Sequence, residues 1–144
     1  MLIAAEITLA GVPALRLPDF WPCYDVVAQP AQPPEVPPQR ISVKTRTFAK
    51  SGTFVGYDES DAFDWLAIVI LPGPGLTTRR IFIVPRKVAD DRSYSVNRTW
   101  RRPGRQLGRG FFVGKLIAAP TPGGQGLADY ENNFSLAYDV TTSK

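Results

Sequence analysis

Residues 64–71 read DWLAIVIL, a nearly continuous apolar run that is closed by the turn sequence PGPG at 72–75. A run of this kind is typical of a central strand that other elements cover on both faces. The segment 80–84, RIFIV, predicts a further apolar strand that ends at Pro85. Together the two segments predict the middle of a β-sheet.

The segment 40–46, RISVKTR, alternates strictly between apolar and polar residues. Ile41 and Val43 form one face, and the other face carries Arg40, Ser42, Lys44 and Arg46. A period of two predicts a half-buried strand with a polar face. The β-prone segment 24–28, YDVVA, precedes it, and the proline-rich residues 29–39 lie between the two. We expect 29–39 to connect two strands, because proline cannot donate to a ladder; a docking site for a proline-recognising partner is the alternative.

The remaining predicted elements are short: helices over 2–10, 88–92 and 127–137, a strand over 14–17, and a strand or a helix over 111–117. The closing C-terminal helix at 127–137 is predicted because apolar side chains recur there at helical spacing. We therefore expect an α/β fold with a mixed β-sheet flanked by helices.

The amino-acid composition limits the catalytic groups and metal sites that the chain can form. The 144 residues, 44% of them hydrophobic and 21% charged, fit a single domain over residues 1–144. The chain has no histidine and one cysteine, Cys23, which excludes His-based catalysis, His-ligated zinc and an internal disulfide. A hydrolytic metal site would use oxygen ligands, which favour Mg²⁺ or Mn²⁺.

The hydrophobic pattern also predicts the cellular compartment of the protein. No apolar run approaches the roughly 20 residues that cross a bilayer. Residues 1–6 lack the basic start of a signal peptide. We therefore expect a cytoplasmic protein that does not bind a membrane.

Positive charge is concentrated in residues 79–115. This segment holds eleven Lys and Arg but only Asp90 and Asp91, a net charge of +9, whereas the whole chain carries +4. Such a stretch, with aromatic residues interleaved, favours binding to a nucleic-acid backbone; a solvated basic loop is the alternative. The residues for which we predict DNA contacts are Arg40, Arg46, Arg79, Arg80, Arg98, Arg101, Arg102 and Arg105.

The order of these segments, over roughly residues 1–90, resembles the core of the PD-(D/E)XK nuclease superfamily. The resemblance rests on YDVVAQ followed by QRISVKTR. In archaeal Holliday-junction resolvases and many restriction enzymes of that superfamily, a helix supplies Glu, a strand supplies Asp, and the next strand carries (D/E)-X-Lys. Matched position by position, these residues are Glu6, Asp25 and Lys44, with Val43 at the X position.

The match departs from the superfamily pattern at Ser42, where Asp or Glu is usual, and at Tyr24, where Pro is common. Serine removes one metal-binding carboxylate, although its hydroxyl can hold a water that is bound to the metal. The acidic residues that could compensate are Glu6, Asp61 and Asp64.

The resemblance implies a restriction-endonuclease-like fold and a metal-dependent endonuclease that hydrolyses DNA phosphodiester bonds. Asp25 and Glu6 would hold Mg²⁺ or Mn²⁺, and Lys44 and Ser42 would complete the catalytic site. The resemblance also implies a homodimer. Two alternatives remain open: a catalytically inactive nucleic-acid-binding module on the same fold, and a structural protein in which the proline segment binds the partner.

Overall fold

The computed structural model describes residues 2–18, 23–30, 37–48, 54–74, 76–96 and 108–138. The helices are α1 (Leu2–Leu9), α2 (Arg86–Arg92) and α3 (Val113–Leu116), and a 3-10 turn spans Ala128–Tyr130. The strands are β1 (Ala14–Arg16), β2 (Val26–Ala28), β3 (Gln39–Thr47), β4 (Phe54–Asp58), β5 (Trp65–Leu71), β6 (Arg80–Pro85), β7 (Tyr94–Val96) and β8 (Gly108–Phe112).

Five strands form a mixed sheet in the order β1-β2-β3-β5-β6. The pair β3–β5 is parallel and pairs Lys44 with Ile68, whereas the other neighbours are antiparallel. The predicted connection over 29–39 joins the antiparallel strands β2 and β3, although its residues 31–36 lie outside the described part of the chain. With helices packed on the sheet, this arrangement confirms the predicted α/β fold class.

The central strand β5 is buried on both faces, as its apolar run predicted. Trp65, Ala67 and Val69 pack in one cluster with α1, on what we call the α1 face. The alternate residues of β5 pack in a second cluster that includes α2 and the strands β4 and β8, on what we call the second-sheet face. None of the residues 65–70 is more than 4% exposed. The burial of this strand therefore holds the layers together.

The second sheet, β4-β8-β7, lies on the second-sheet face and was only partly predicted. The sequence predicts no strand at Tyr57 and Asp58, but both belong to β4, where Val55 and Tyr57 are buried. The buried residues Val55 and Tyr57 are two positions apart, which is typical of a half-buried strand. The strand is short and lies between turn-forming residues, so the pattern is easily overlooked.

The predicted helix over 127–137 is wrong: a 3-10 turn of three residues replaces it. The chain instead follows the edge of β6, where the Asn132 amide donates to the Ile81 carbonyl at 2.9 Å and the Asn133 side-chain amide donates to the Ile83 carbonyl at 3.1 Å. The φ angles of Asn132 (58°) and Leu136 (59°) are left-handed, which a right-handed helix does not allow. The apolar side chains that suggested a helix are buried in two different clusters, Tyr130 in one and Leu136 in the other.

A reciprocal set of bonds between Arg40 and Asp64 joins the beginning of β3 to the residue that precedes β5. One carboxylate oxygen of Asp64 accepts from the Arg40 backbone N–H at 2.8 Å and from Nε at 3.0 Å, and the other accepts from Nη2 at 3.1 Å. The Asp64 amide donates back to the Arg40 carbonyl at 2.8 Å. Burial alone would raise the pKa of Asp64, but the Arg40 hydrogen bonds outweigh it and lower that pKa. Asp64 is thus engaged as a structural anchor.

Asp64→Asn should lower the free energy of unfolding near pH 7 by about 1–2 kcal/mol, because charged hydrogen bonds are worth about 1.5–3 kcal/mol and partial exposure weakens them. Since folding lowers the pKa of Asp64, this contribution is present above the ordinary aspartate pKa and is lost as pH falls through the folded value. Urea titrations should therefore show the difference from wild type shrinking below about pH 4. Asp61→Asn is the control, since its carboxylate accepts one long bond of 3.4 Å. A difference that is constant with pH would contradict the interpretation.

Candidate functional site

Asp25 lies against β3 just before β2 begins. Its backbone N–H donates to the Ile41 carbonyl at 2.9 Å. Because Ile41 is already the partner of Val26 in the β2–β3 pair, the regular pairing of these strands ends at Val26. Its carboxylate oxygen Oδ2 accepts from the Val43 backbone N–H at 2.8 Å. Because strand N–H groups point along the sheet, this oxygen lies near the plane of the sheet. Asp25 thus takes the place of a missing ladder partner and presents its second oxygen to solvent.

Ser42 and Lys44 flank Val43 and lie on the opposite side of the strand from it. Val43 packs towards the α1 face, so the alternation of the strand directs Ser42 and Lys44 towards the second-sheet face. Ser42 is only 1% exposed, and Lys44 is half-buried. Within the part of the chain that the structure describes, the side chains of Ser42 and Lys44 make no hydrogen bond or ion pair. A buried hydroxyl and a half-buried ammonium are therefore left without partners there.

The structure thus places the Asp25 carboxylate at Val43, the residue that lies between Ser42 and Lys44. Asp25 and Lys44 do not form an ion pair with each other in the described residues, and Asp25 is bound to the backbone between them. The catalytic roles of Asp25, Ser42 and Lys44 stay predictions.

Glu6 lies on the N-terminal helix α1, as expected, and its role at a metal site stays a prediction. Its carboxylate is 3.8 Å from the Arg79 guanidinium, which precedes β6. Over the described ranges of the chain, no group of three or more His, Cys, Asp or Glu side chains is arranged to hold a metal ion. Asp61 and Asp64 do not supply the missing acid in any such group, and Asp64 is bound to Arg40.

The donor set fits a divalent cation only in part. Asp25 offers one carboxylate oxygen that no described residue contacts, and an oxygen ligand suits Mg²⁺ or Mn²⁺. Mg²⁺ commonly keeps several waters and binds through one or two carboxylates together with substrate phosphates. The residues here fit that mode of binding, in which the protein supplies a minority of the ligands.

Most described arginines of the basic segment are paired with carboxylates. Arg80 forms two bonds to Glu131 at 2.7 and 2.9 Å, and this pairing raises its pKa. The other pairs are Arg79–Glu6, Arg86–Asp90, Arg92–Asp129 and Arg109–Glu59. Four of these five acids, all except Asp90, come from outside residues 79–115, so they compensate four of the nine net positive charges of that segment.

Of the predicted DNA contacts, Arg40, Arg79 and Arg80 thus have intramolecular partners. Arg46 is exposed, and within the described ranges it donates only to the neighbouring Thr45 carbonyl, at 2.7 Å. The other four, Arg98, Arg101, Arg102 and Arg105, lie outside the described residues.

A buried polar network that the sequence analysis missed joins β4 to α2 and β8. The Tyr57 hydroxyl donates to Asp90 at 2.7 Å, and burial is the main cause that raises the pKa of Tyr57. Arg109 donates to Ser93 at 2.8 Å, to the Asp90 carbonyl at 2.7 Å and to Glu59 at 2.8 Å. Because every polar group here has a partner, we interpret the network as structural support for the second sheet.

Comparison with protein-family models finds no match, and no curated protein matches the chain. Among solved structures, the chain is similar to Hjc, a Holliday junction resolvase from the archaeal hyperthermophile Archaeoglobus fulgidus. The sequences are 13% identical, the match covers 81% of this chain and 97% of the other, and the TM-score is 0.40. A similarity of this size establishes neither the family nor which residues correspond, so the resemblance to PD-(D/E)XK nucleases stays a prediction. No described helix is long and apolar enough to span a membrane.

Ser42→Ala should leave the free energy of unfolding unchanged or raise it by up to about 1 kcal/mol, because it removes a buried hydroxyl that has no partner among the described residues. The matched control is Asn133→Ala, at another buried polar residue. Asn133 bonds to the backbone of Ile83 and Ala137, so its loss should cost about 1–3 kcal/mol. Denaturant unfolding measures both variants. Destabilisation of Ser42→Ala as large as that of Asn133→Ala would show that the hydroxyl has a partner.

Proposed function

We propose that this chain is a nuclease-type protein that processes DNA, with Asp25, Ser42 and Lys44 as its site. The observation that supports the proposal is the 2.8 Å bond between the Asp25 carboxylate and the Val43 backbone N–H. It brings a metal-binding oxygen to the residue next to a half-buried lysine that has no carboxylate partner in the described residues. A carboxylate and an ammonium held close together by the fold suit metal-assisted phosphodiester hydrolysis, in which charge develops on the phosphate.

In this proposal each side chain has a separate task. A bound Mg²⁺ or Mn²⁺ would activate a water and neutralise charge on the scissile phosphate. Asp25 would contribute its outer oxygen to that cation, while Val43 fixes the orientation of the carboxylate. Lys44 would orient the attacking water or stabilise the charge that develops on the phosphate. Ser42 would hold a water through its free hydroxyl. Glu6 would assist only if its carboxylate left Arg79 and bound the cation instead.

DNA would be bound through basic residues that no carboxylate neutralises. Among the described residues these include Lys44, Arg46 and Lys115, of which Arg46 and Lys115 are exposed. The arginines of residues 97–107 belong to the same proposal, since this segment carries four arginines and no acidic residue. The predicted homodimer also stays part of the proposal, and analytical ultracentrifugation tests it.

Lys44→Ala should reduce Mg²⁺- or Mn²⁺-dependent cleavage of DNA by at least about 100-fold, since removing one group that stabilises the transition state costs about 10²–10³ in rate. The measurement uses supercoiled and branched DNA with each metal. Lys87→Ala is the control, because Lys87 is an exposed lysine on α2 and removes the same charge. Cleavage that survives Lys44→Ala unchanged would remove this mechanism.

A catalytically inactive DNA-binding module is the second candidate, and the burial of uncharged Ser42 at the expected acid position favours it. This function predicts salt-sensitive DNA binding without cleavage in any divalent metal. Gain of cleavage in Ser42→Asp would indicate a nuclease that has lost one ligand. Failure of the wild type to bind DNA at low salt would leave the third reading, a structural protein.

The salt dependence of DNA binding should distinguish Arg101, a predicted DNA contact, from Arg80, which is bound to a carboxylate. Arg101→Ala should reduce the slope of log affinity against log salt by roughly 0.9, the value for one phosphate contact on duplex DNA. Arg80→Ala should leave the slope unchanged and lower stability instead, because Arg80 is bound to Glu131. Fluorescence anisotropy at several salt concentrations measures the slope. An equal decrease for both variants would contradict the distinction.

A further inference from the structure

The second sheet, β4-β8-β7, has an outer face that carries aromatic side chains. Val55, Tyr57 and Phe111 point towards the main sheet and are buried there. Because the side chains of a strand alternate between its two faces, the residues next to these three point away from the main sheet. The outward residues are Phe54 and Gly56 on β4, Gly110 and Phe112 on β8, and Tyr94 on β7, which is paired with Gly110.

Two glycines allow the Phe54 ring to lie on this face. A Cβ atom at Gly110 would come within 2.5 Å of Cζ of Phe54, and one at Gly56 within 3.0 Å of its Cε2. Phe112 meets the Phe54 ring edge-on at a centroid distance of 5.1 Å, and the Tyr94 ring lies 5.9 Å from that of Phe112. Phe54 and Phe112 are half-buried, whereas Tyr94 is 53% exposed. The face thus presents three adjacent rings, of which Tyr94 is the most open to solvent.

Positive charge is joined to the same sheet by the chain itself. Residues 97–107 connect β7 to β8, and because Val96 is paired with Gly108, this segment begins and ends at one end of the sheet. It carries four arginines and no acidic residue. Asp58 is the acidic residue that the β4–β8 register assigns to the outer face, so the face and the segment together have a net charge of +3.

Rings beside arginines suit one ligand chemistry. An unpaired nucleobase presents a flat π surface that stacks on an aromatic side chain, and its phosphate is attracted to a cation. In a duplex the bases are stacked on one another, so their flat surfaces are not available to a protein ring. An apolar peptide would contact the rings but would make no use of the positive charge.

We propose that the outer face of the second sheet binds unpaired bases of DNA, which stack on Tyr94 and Phe112. The inference rests on the proposed DNA-processing function and adds to it a preference for DNA that contains unpaired nucleotides. It requires no metal ion and no contact with Asp25. Stacking of one base on an aromatic side chain should strengthen binding about 5–150-fold.

The test compares two short DNA duplexes of the same sequence, one fully paired and one with a central loop of unpaired nucleotides. Fluorescence anisotropy in EDTA measures both affinities without cleavage. Wild-type protein should bind the looped duplex about 5–150-fold more tightly than the paired duplex. A fluorescent adenine analogue in the loop should lose intensity on binding, because stacking on a ring quenches it.

Variants of the exposed ring identify its role. Tyr94→Leu should lower the affinity for the looped duplex at least about fivefold and reduce the quenching, because leucine is apolar but has no ring. Its affinity for the paired duplex should stay unchanged. Tyr94→Phe keeps the ring and should behave as the wild type, whereas Phe112→Leu should act in the same direction as Tyr94→Leu.

Tyr138→Leu is the matched control. Tyr138 is 62% exposed, and its ring lies 4.7 Å from that of Trp65, which belongs to the α1 face. This variant loses an exposed ring elsewhere on the protein and should leave both affinities unchanged. Denaturant unfolding verifies that each variant is folded.

The outcomes separate this inference from the function on which it rests. Equal affinity of the wild type for the two duplexes overturns the inference and leaves DNA binding standing. Equal effects of Tyr94→Leu and Tyr94→Phe overturn the stacking, and an equal loss in Tyr138→Leu overturns the assignment to this face. Tighter binding of the same loop made of RNA overturns the assignment to DNA. Absence of binding to either duplex at low salt overturns both proposals.

Discussion

The burial of β5 on both faces is the constraint on which the rest of the structure depends. A strand whose successive side chains are all apolar needs a hydrophobic layer on each side. Here α1 covers one face, and the second sheet with α2 covers the other. The parallel neighbour β3 is aligned with this strand over seven residue pairs, with Arg40 and Asp64 bound to each other where the alignment begins. The position of Lys44 is therefore a consequence of how β5 is packed.

Arginine in this protein serves largely to connect segments that are distant in sequence. Arg80 reaches Glu131 near the C-terminal end, and Arg92 reaches Asp129. Several of these guanidinium groups also lie over aromatic rings, as Arg86 does over Phe63 at 4.2 Å. Such half-buried pairs cost desolvation, which their hydrogen bonds offset. A basic composition alone thus does not indicate how much positive charge is available to a ligand.

The sequence predicted those elements whose own residues determine them. The segment that became β3 alternates with a period of two, and the segments that became β5 and β6 are short apolar runs bounded by turn residues, both of which favour strands. The helix over 127–137 was wrong because its apolar residues serve two separate clusters, a fact of tertiary structure that periodicity does not encode. The partners of Arg40 and Arg80 could not be predicted either, because those contacts join residues far apart in the chain.

The candidate site, like the fold, was predicted only in part. The alternation of apolar and polar residues in the segment 40–46 indicated that Ser42 and Lys44 share a face. The packing of Val43 on the opposite face agrees with this prediction. The bond from the Val43 backbone to Asp25 could not be foreseen, since it depends on the interruption of pairing beside Val26.

The segment that runs along β6 has a consequence for the newly made chain. Residues 131–133 supply the hydrogen bonds at the outer edge of β6, and they leave the ribosome after every strand of both sheets. Until then a nascent sheet presents unpaired backbone groups beside a very apolar strand, the kind of edge that recruits other chains. Protection of this edge can therefore form only after Glu131 has been synthesised, and premature termination before that residue would leave the edge of β6 exposed.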